Sequence, residues 1–193
     1  MAAVSEAAAL DRRPSVVVAD ALELRRAEVV SLMRGWSDAH NVELRPVDPA
    51  LGYELIEDGI VCALGMLNLG YTSVTLPETL DWLRQFKGRF PDAPLVVMSD
   101  REEAEEVVIA FRGGVQGFIP TSTKPDLALQ ALSFIMYGGS FFPPGTLLHL
   151  PRCRRDGERR PARVALVHVR KDFQSMRGRL DSHALRVRRA GAQ

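Results

Sequence analysis

GGVQGFIPTSTKPDLALQALSFIMYGGSFFPP, residues 113–144, decides the fold. Gly113 and Gly114 stop the helical pattern that precedes them, and GFIP at 117–120 is a short apolar strand. Asp126 to Tyr137 then has helical periodicity and ends at Gly138 and Gly139, just before Pro143 and Pro144. The apolar stripe of that helix, Leu127, Leu129, Ala131, Leu132, Phe134, Ile135 and Met136, is broader than one buried face requires. Part of it is expected in the core, and the remainder is available to a partner.

Working outward, strand-like and helical runs alternate, the pattern of a parallel sheet covered by helices on both faces. SVVVAD at 15–20 reads as a buried first strand, and residues 22–38 as a helix with its stripe at Leu24, Ala27, Val30, Met33 and Trp36. VELRPV at 42–47 is an edge strand, 49–58 a short helix, and GIVCALGML at 59–67 a continuous apolar run suited to a central strand. Pro77 opens the next helix, which carries Leu80, Leu83 and Phe86. LVVMS at 95–99 is the fourth strand, and SDREEAEEVVIAFRGG follows with Ser99 or Asp100 as cap and acids in its first turn. Five βα units result. Right-handed crossovers restrict them to a doubly wound α/β sheet, for which the flavodoxin-like strand order 2-1-3-4-5 is expected.

The net charge of +1 conceals a division along the chain. Residues 1–150 hold 12 Lys and Arg against 20 Asp and Glu, whereas residues 151–193 hold 13 against 4. An acidic body therefore carries a basic arm, a type of segment attracted to nucleic acid, an anionic membrane or acidic partners, or else simply solvated. The expected division is a tail at 1–14, a globular domain at 15–145 and an Arg-rich, irregular arm at 146–193, in which RVALVHV at 163–169 is the one strand-like run.

Two cysteines, Cys62 and Cys153, make no disulfide framework, and a cytoplasmic setting is expected. No leader pattern and no apolar run of membrane-spanning length is seen, so the expectation is an unprocessed protein with no membrane partner. His40, His149, His168 and His183 lack a metal-ligand spacing, and no GxSxG elbow groups a nucleophile with a base. Gly113, Gly114 and Gly117 precede a strand, which is the wrong context for a phosphate loop. Neither an enzyme, a cofactor nor a small-molecule substrate is expected.

The 113–144 segment resembles the end of a response-regulator receiver domain of the LuxR/NarL type, in which a strand like GFIPK or GYLLK leads into a helix closing on Gly-Gly and a proline. The resemblance extends more weakly over residues 15–145. It implies a phosphorylation pocket at the carboxyl ends of the strands, with an acidic pair and an acceptor Asp, a hydroxyl and a Lys.

In such a pocket carboxylates hold a divalent cation, the acceptor attacks phosphorus, and the hydroxyl and ammonium receive the new phosphoryl oxygens. Laid on this chain, the acidic pair is reduced to Asp20, with its register uncertain by one residue. ALGMLNLG set against the family pattern VLLDLRLP puts Met66 at the acceptor position, Ser99 is the hydroxyl, and Thr121 stands where Lys is expected. Lys124 follows three residues later, on the next loop. No Asp or Glu lies between Asp58 and Glu78, so a small shift of register does not restore an acceptor. Asp20 and Ser99 can equally be read as turn or cap residues.

The pattern is that of a pseudo-receiver. Its resemblance to the family is best where receivers contact partners, so a protein partner or self-association is expected through 102–138, with Phe111, Phe118, Ile119, Leu127, Gln130 and Phe134 at the interface. The alternative is a LuxR-type DNA-binding regulator that uses Arg152, Arg154, Arg155, Arg159 and Arg160. No helix-turn-helix pattern occurs after Leu150, and the arm can also be read as a truncated or frame-shifted remnant of an output region.

Overall fold

The computed structural model describes residues 13–51 and 60–143. Five strands, β1 (Ser15–Asp20), β2 (Glu43–Val47), β3 (Cys62–Gly70), β4 (Leu95–Ser99) and β5 (Gly117–Pro120), form one all-parallel sheet in the order 2-1-3-4-5. Between and after them lie α1 (Glu23–His40), α2 (Pro77–Arg89), α3 (Ala104–Arg112) and α4 (Pro125–Met136). Where a short helix is expected at 49–58, a single 3-10 turn occupies Pro49–Leu51, and the remainder of that expectation lies outside the described residues.

Alternation along the central strands divides the core in two. Val17, Ala19, Leu67, Val97 and Phe118 face α2 and α3, meeting Trp82, Leu83, Phe86 and Val107. Val16, Val18, Leu64, Met66 and Ile119 face α1 and α4, meeting Met33, Trp36, Ala131 and Ile135. Because both faces are covered, these strands read as unbroken apolar runs.

Packing is close enough that β3 needs a glycine at its centre. A Cβ on Gly65 would fall 2.2 Å from the fully buried ring of Phe86. On the opposite face, α1 and α4 are joined by a polar node. Ser133 Oγ donates to the Leu129 carbonyl (3.1 Å), accepts from Trp36 Nε1 (2.8 Å), and lies 2.7 Å from His40 Nε2. A hydroxyl has one proton to give, so His40 Nε2 is the donor in this arrangement.

Candidate functional site: a crevice closed by an internal arginine

Asp20 ends β1 with no exposed surface, and both of its carboxylate oxygens are occupied. Oδ1 accepts from the Leu22 amide (2.8 Å) and from Arg25 Nη2 (2.8 Å). Oδ2 accepts from Arg25 Nε (2.6 Å) and from Asn68 Nδ2 (2.8 Å). The Leu22 bond closes an Asx turn that sends the chain from the sheet into α1. The first turn of α1 then places Arg25 above the strand end, where its guanidinium forms a two-pronged pair with the carboxylate. Arg26 Nη1 donates to the Asp20 carbonyl oxygen, so the two arginines fix side chain and backbone together.

Asn68 lies directly beside Asp20 in the β1–β3 ladder. Its amide nitrogen serves Asp20, and Arg25 Nη2 reaches its backbone carbonyl at 3.4 Å. Two residues on, Gly70 has a φ of 56°, in the left-handed region that favours glycine. A Cβ there would fall 2.0 Å from Arg25 Nη1, so the glycine also leaves room for the guanidinium.

Ser99 closes β4 fully buried, donating to the Gly70 carbonyl (3.2 Å) and accepting from the Arg101 amide (3.0 Å). Thr121 follows β5, with its amide donating to Ser99 O at 3.0 Å and its hydroxyl to Asp100 Oδ1. Both hydroxyls are thus engaged within the loops. The one carboxylate at the floor is already neutralised by a guanidinium, and its neighbour Asn68 is a neutral amide.

This donor set does not fit a divalent cation, which needs several free hard oxygens. Among the described residues, no group of three or more His, Cys, Asp and Glu side chains could hold a metal ion. A separate open hollow of about 650 Å³ lies on the α1–β2 flank, lined by residues that include Arg13, Arg34, Asp38 and Arg45. It does not include the crevice residues.

Comparison with solved structures identifies the architecture. The chain is similar to a LuxR family DNA-binding response regulator from Silicibacter pomeroyi, at 23% identity and a TM-score of 0.56, over 68% of this chain and 98% of that one. It is similar to a LuxR family two-component response regulator from Aurantimonas sp. at 17% identity and a TM-score of 0.56, over 70% and 94% of the two chains. A third similar structure is the isolated REC domain of RcsB from Salmonella enterica, with 13% identity, a TM-score of 0.56 and coverage of 72% and 99%. The fold is that of a response-regulator receiver domain. No protein-family model and no curated protein sequence matches the chain.

Within this receiver fold, the expected pocket residues fall in two places. Asp20, Ser99 and Thr121 come together at the carboxyl ends of their strands. Met66 does not: it is fully buried among Leu64, Ile119 and the α1 and α4 side chains, in the body of β3. The strand runs to Gly70 rather than 67, and the residue level with Asp20 is Asn68. Met66 lies two residues earlier on the same strand, level with Val18.

The proposed contact residues divide as well. Phe118 and Ile119 are fully buried, because β5 is covered by helices on both sides and each of these side chains fills one core. Leu127 and Gln130 are exposed, whereas Phe111 and Phe134 are half-buried. Phe111 packs edge-on against Phe142 at 5.6 Å, and the Phe134 ring lies where a Cβ on Gly139 would be.

Neither Ser99 nor Asp100 caps α3. That helix begins at Ala104, with Glu103 at the cap position and no capping side-chain bond. Arg152, Arg154, Arg155, Arg159 and Arg160 lie outside the described residues. Arg25 and Asn68 were missed in the sequence. Their available signals were a basic residue five positions after Asp20, at the start of a helix, and one amide inside an apolar strand.

Proposed function

We propose that the chain is a pseudo-receiver: a response-regulator module in bacterial signal transduction and transcriptional control that works by protein association, without phosphorylation. The observation carrying this reading is the Asp20 carboxylate, whose two oxygens accept four hydrogen bonds, two of them from Arg25. Phosphoryl transfer to a receiver needs a metal-binding carboxylate and a nucleophilic one side by side. Here an internal cation occupies the one carboxylate, and β3 offers no acid beside it: Met66, at the expected acceptor position, is a thioether, and Asn68, level with Asp20, is a neutral amide.

Exposed Leu127 and Gln130 on α4, with the accessible parts of Phe111 and Phe134, supply the surface for a protein partner or a second copy within 102–138. Incubation with radiolabelled acetyl phosphate and Mg²⁺, followed by mass mapping, tests the chemistry. No stable label is expected, and an acyl phosphate on any residue would sink the proposal.

The charge division favours a second reading, in which the basic arm after residue 150 binds DNA as part of a transcriptional regulator. Contacts made by arginines to phosphates release counterions and give salt-sensitive, sequence-indifferent binding. Fluorescence anisotropy of a labelled duplex, titrated with the full chain at low and moderate salt, separates the readings. Binding that weakens steeply with salt supports the DNA role. Its absence at low salt leaves protein association alone.

A further inference from the structure

Glu106 is a nearly fully buried carboxylate on the first turn of α3, and the crevice does not use it. Its Oε1 accepts from Ser73 Oγ at 2.5 Å and pairs with Arg101 Nε at 3.0 Å, while Oε2 accepts from the Val74 amide at 2.7 Å. Ser73 and Val74 belong to the β3–α2 loop, whereas Arg101 belongs to the β4–α3 loop. A second set of bonds joins the ends of β3 and β4 that lead into these loops, where Ser99 Oγ and the Asp100 amide both donate to the Gly70 carbonyl.

The cap residue Glu103 makes no capping bond, and the other side-chain contacts at the start of α3, Ser122 Oγ to Glu102 (2.7 Å) and Arg101 to Glu103 (3.8 Å), involve side chains at the surface. A buried carboxylate is costly unless its lone pairs are met; here the β3–α2 loop supplies the hydrogen bonds, and Arg101 of the β4–α3 loop supplies a facing charge, its Nε close to Oε1 but not aligned for a hydrogen bond. Val107 and Ala110 pack the body of α3 into the core, and Glu106 is the buried polar contact that ties its first turn to the β3–α2 loop.

We infer that Glu106 is a clamp that holds α3 against the β3–α2 loop, so that the surface built from α3, β5 and α4 keeps one form whatever enters the crevice. The clamp itself rests on geometry alone. Its consequence for association rests on the function proposed above.

Residue-resolved amide hydrogen exchange on the full chain tests it. In Glu106→Ala, exchange at 73–76 and 104–110 is expected to accelerate by tenfold or more, with α1 and α4 unchanged. Ser73→Ala and Arg101→Ala are expected to show the same local pattern at smaller amplitude, and they decide the matter if the Glu106 variant does not fold. No acceleration, or an equal acceleration in every element, overturns the clamp.

A further arm adds acetyl phosphate and Mg²⁺ to the wild-type chain. Unchanged exchange at 104–112 is expected, and a change confined to α3 overturns the inference. A phosphoryl label found together with unchanged α3 exchange would instead remove the functional reading and leave the clamp standing.

Discussion

Arg25 holds Asp20 by two nitrogens of one guanidinium, Nε at 2.6 Å from Oδ2 and Nη2 at 2.8 Å from Oδ1. Asp20 has no exposed surface, while the Arg25 side chain keeps 29% of its own. The charge of the arginine is thus partly hydrated, and that of the aspartate is not. Arg25→Ala leaves a buried carboxylate with only Asn68 and the Leu22 amide as partners, and is expected to cost about 3–5 kcal/mol. Urea unfolding midpoints of the two proteins measure this. A change below about 1 kcal/mol would mean that water replaces the guanidinium freely.

Asn68→Asp exchanges a donor for an acceptor against Asp20, and is expected to cost about 1–3 kcal/mol. Because Arg25 still fills the crevice, millimolar Mg²⁺ should restore nothing. In the double variant with Arg25→Ala, two carboxylates face an emptied site, and Mg²⁺ should raise the melting temperature through mass action. Calorimetric scans with and without Mg²⁺ check both. Mg²⁺ stabilisation of the single variant would show that Arg25 does not block the site.

His40 sits against Trp36 and Tyr137 with Nε2 on Ser133, and burial lowers its pKa from the usual 6.5. The unfolded chain therefore takes up a proton more readily than the folded one. Stability is fully present above about pH 6.5 and is lost as pH falls through the lower folded value. His40→Gln should flatten this limb. Denaturation midpoints between pH 5 and 8 give the comparison, and an unchanged pH profile in the variant would assign the acid sensitivity to other groups.

Gly65→Ala introduces a methyl 2.2 Å from the Phe86 ring tip, in a core where Phe86 also stacks on Trp82. The ring has nowhere to retreat, so a loss of about 1–3 kcal/mol is expected. Thermal unfolding followed by far-UV circular dichroism tests it, and a melting temperature equal to wild type would show that the core yields.

Cys62 is half-buried at the start of β3, and burial is the main cause pushing its thiol pKa up to about 11. Since the thiolate is the reactive form, alkylation at pH 8 should be slow in the folded protein and fast in denaturant. Mass spectrometry of iodoacetamide adducts distinguishes Cys62 from Cys153. Rapid folded-state labelling at Cys62 would contradict the burial.

The alternation of apolar strands with striped helices, the glycine stop at 113–114 and the Gly-Gly end of α4 were legible in the sequence. They follow from local backbone preference and from the periods of strand and helix. Those same signals determined the parallel sheet and its order, since right-handed crossovers leave few ways to arrange five βα units. The lack of an acid between Asp58 and Glu78 was equally plain.

Only the tertiary structure decided which residue of β3 meets Asp20. A strand buried on both faces carries no alternation by which to count register, so it took the pairing with β1 to put Asn68 level with Asp20 and Met66 level with Val18. The tertiary structure also placed Phe118 and Ile119 in two separate cores and brought Arg25 onto Asp20. It joined Glu106 to a loop more than thirty residues away. Such contacts depend on where elements sit in space, and a linear pattern of hydrophobicity records only which face of an element is buried.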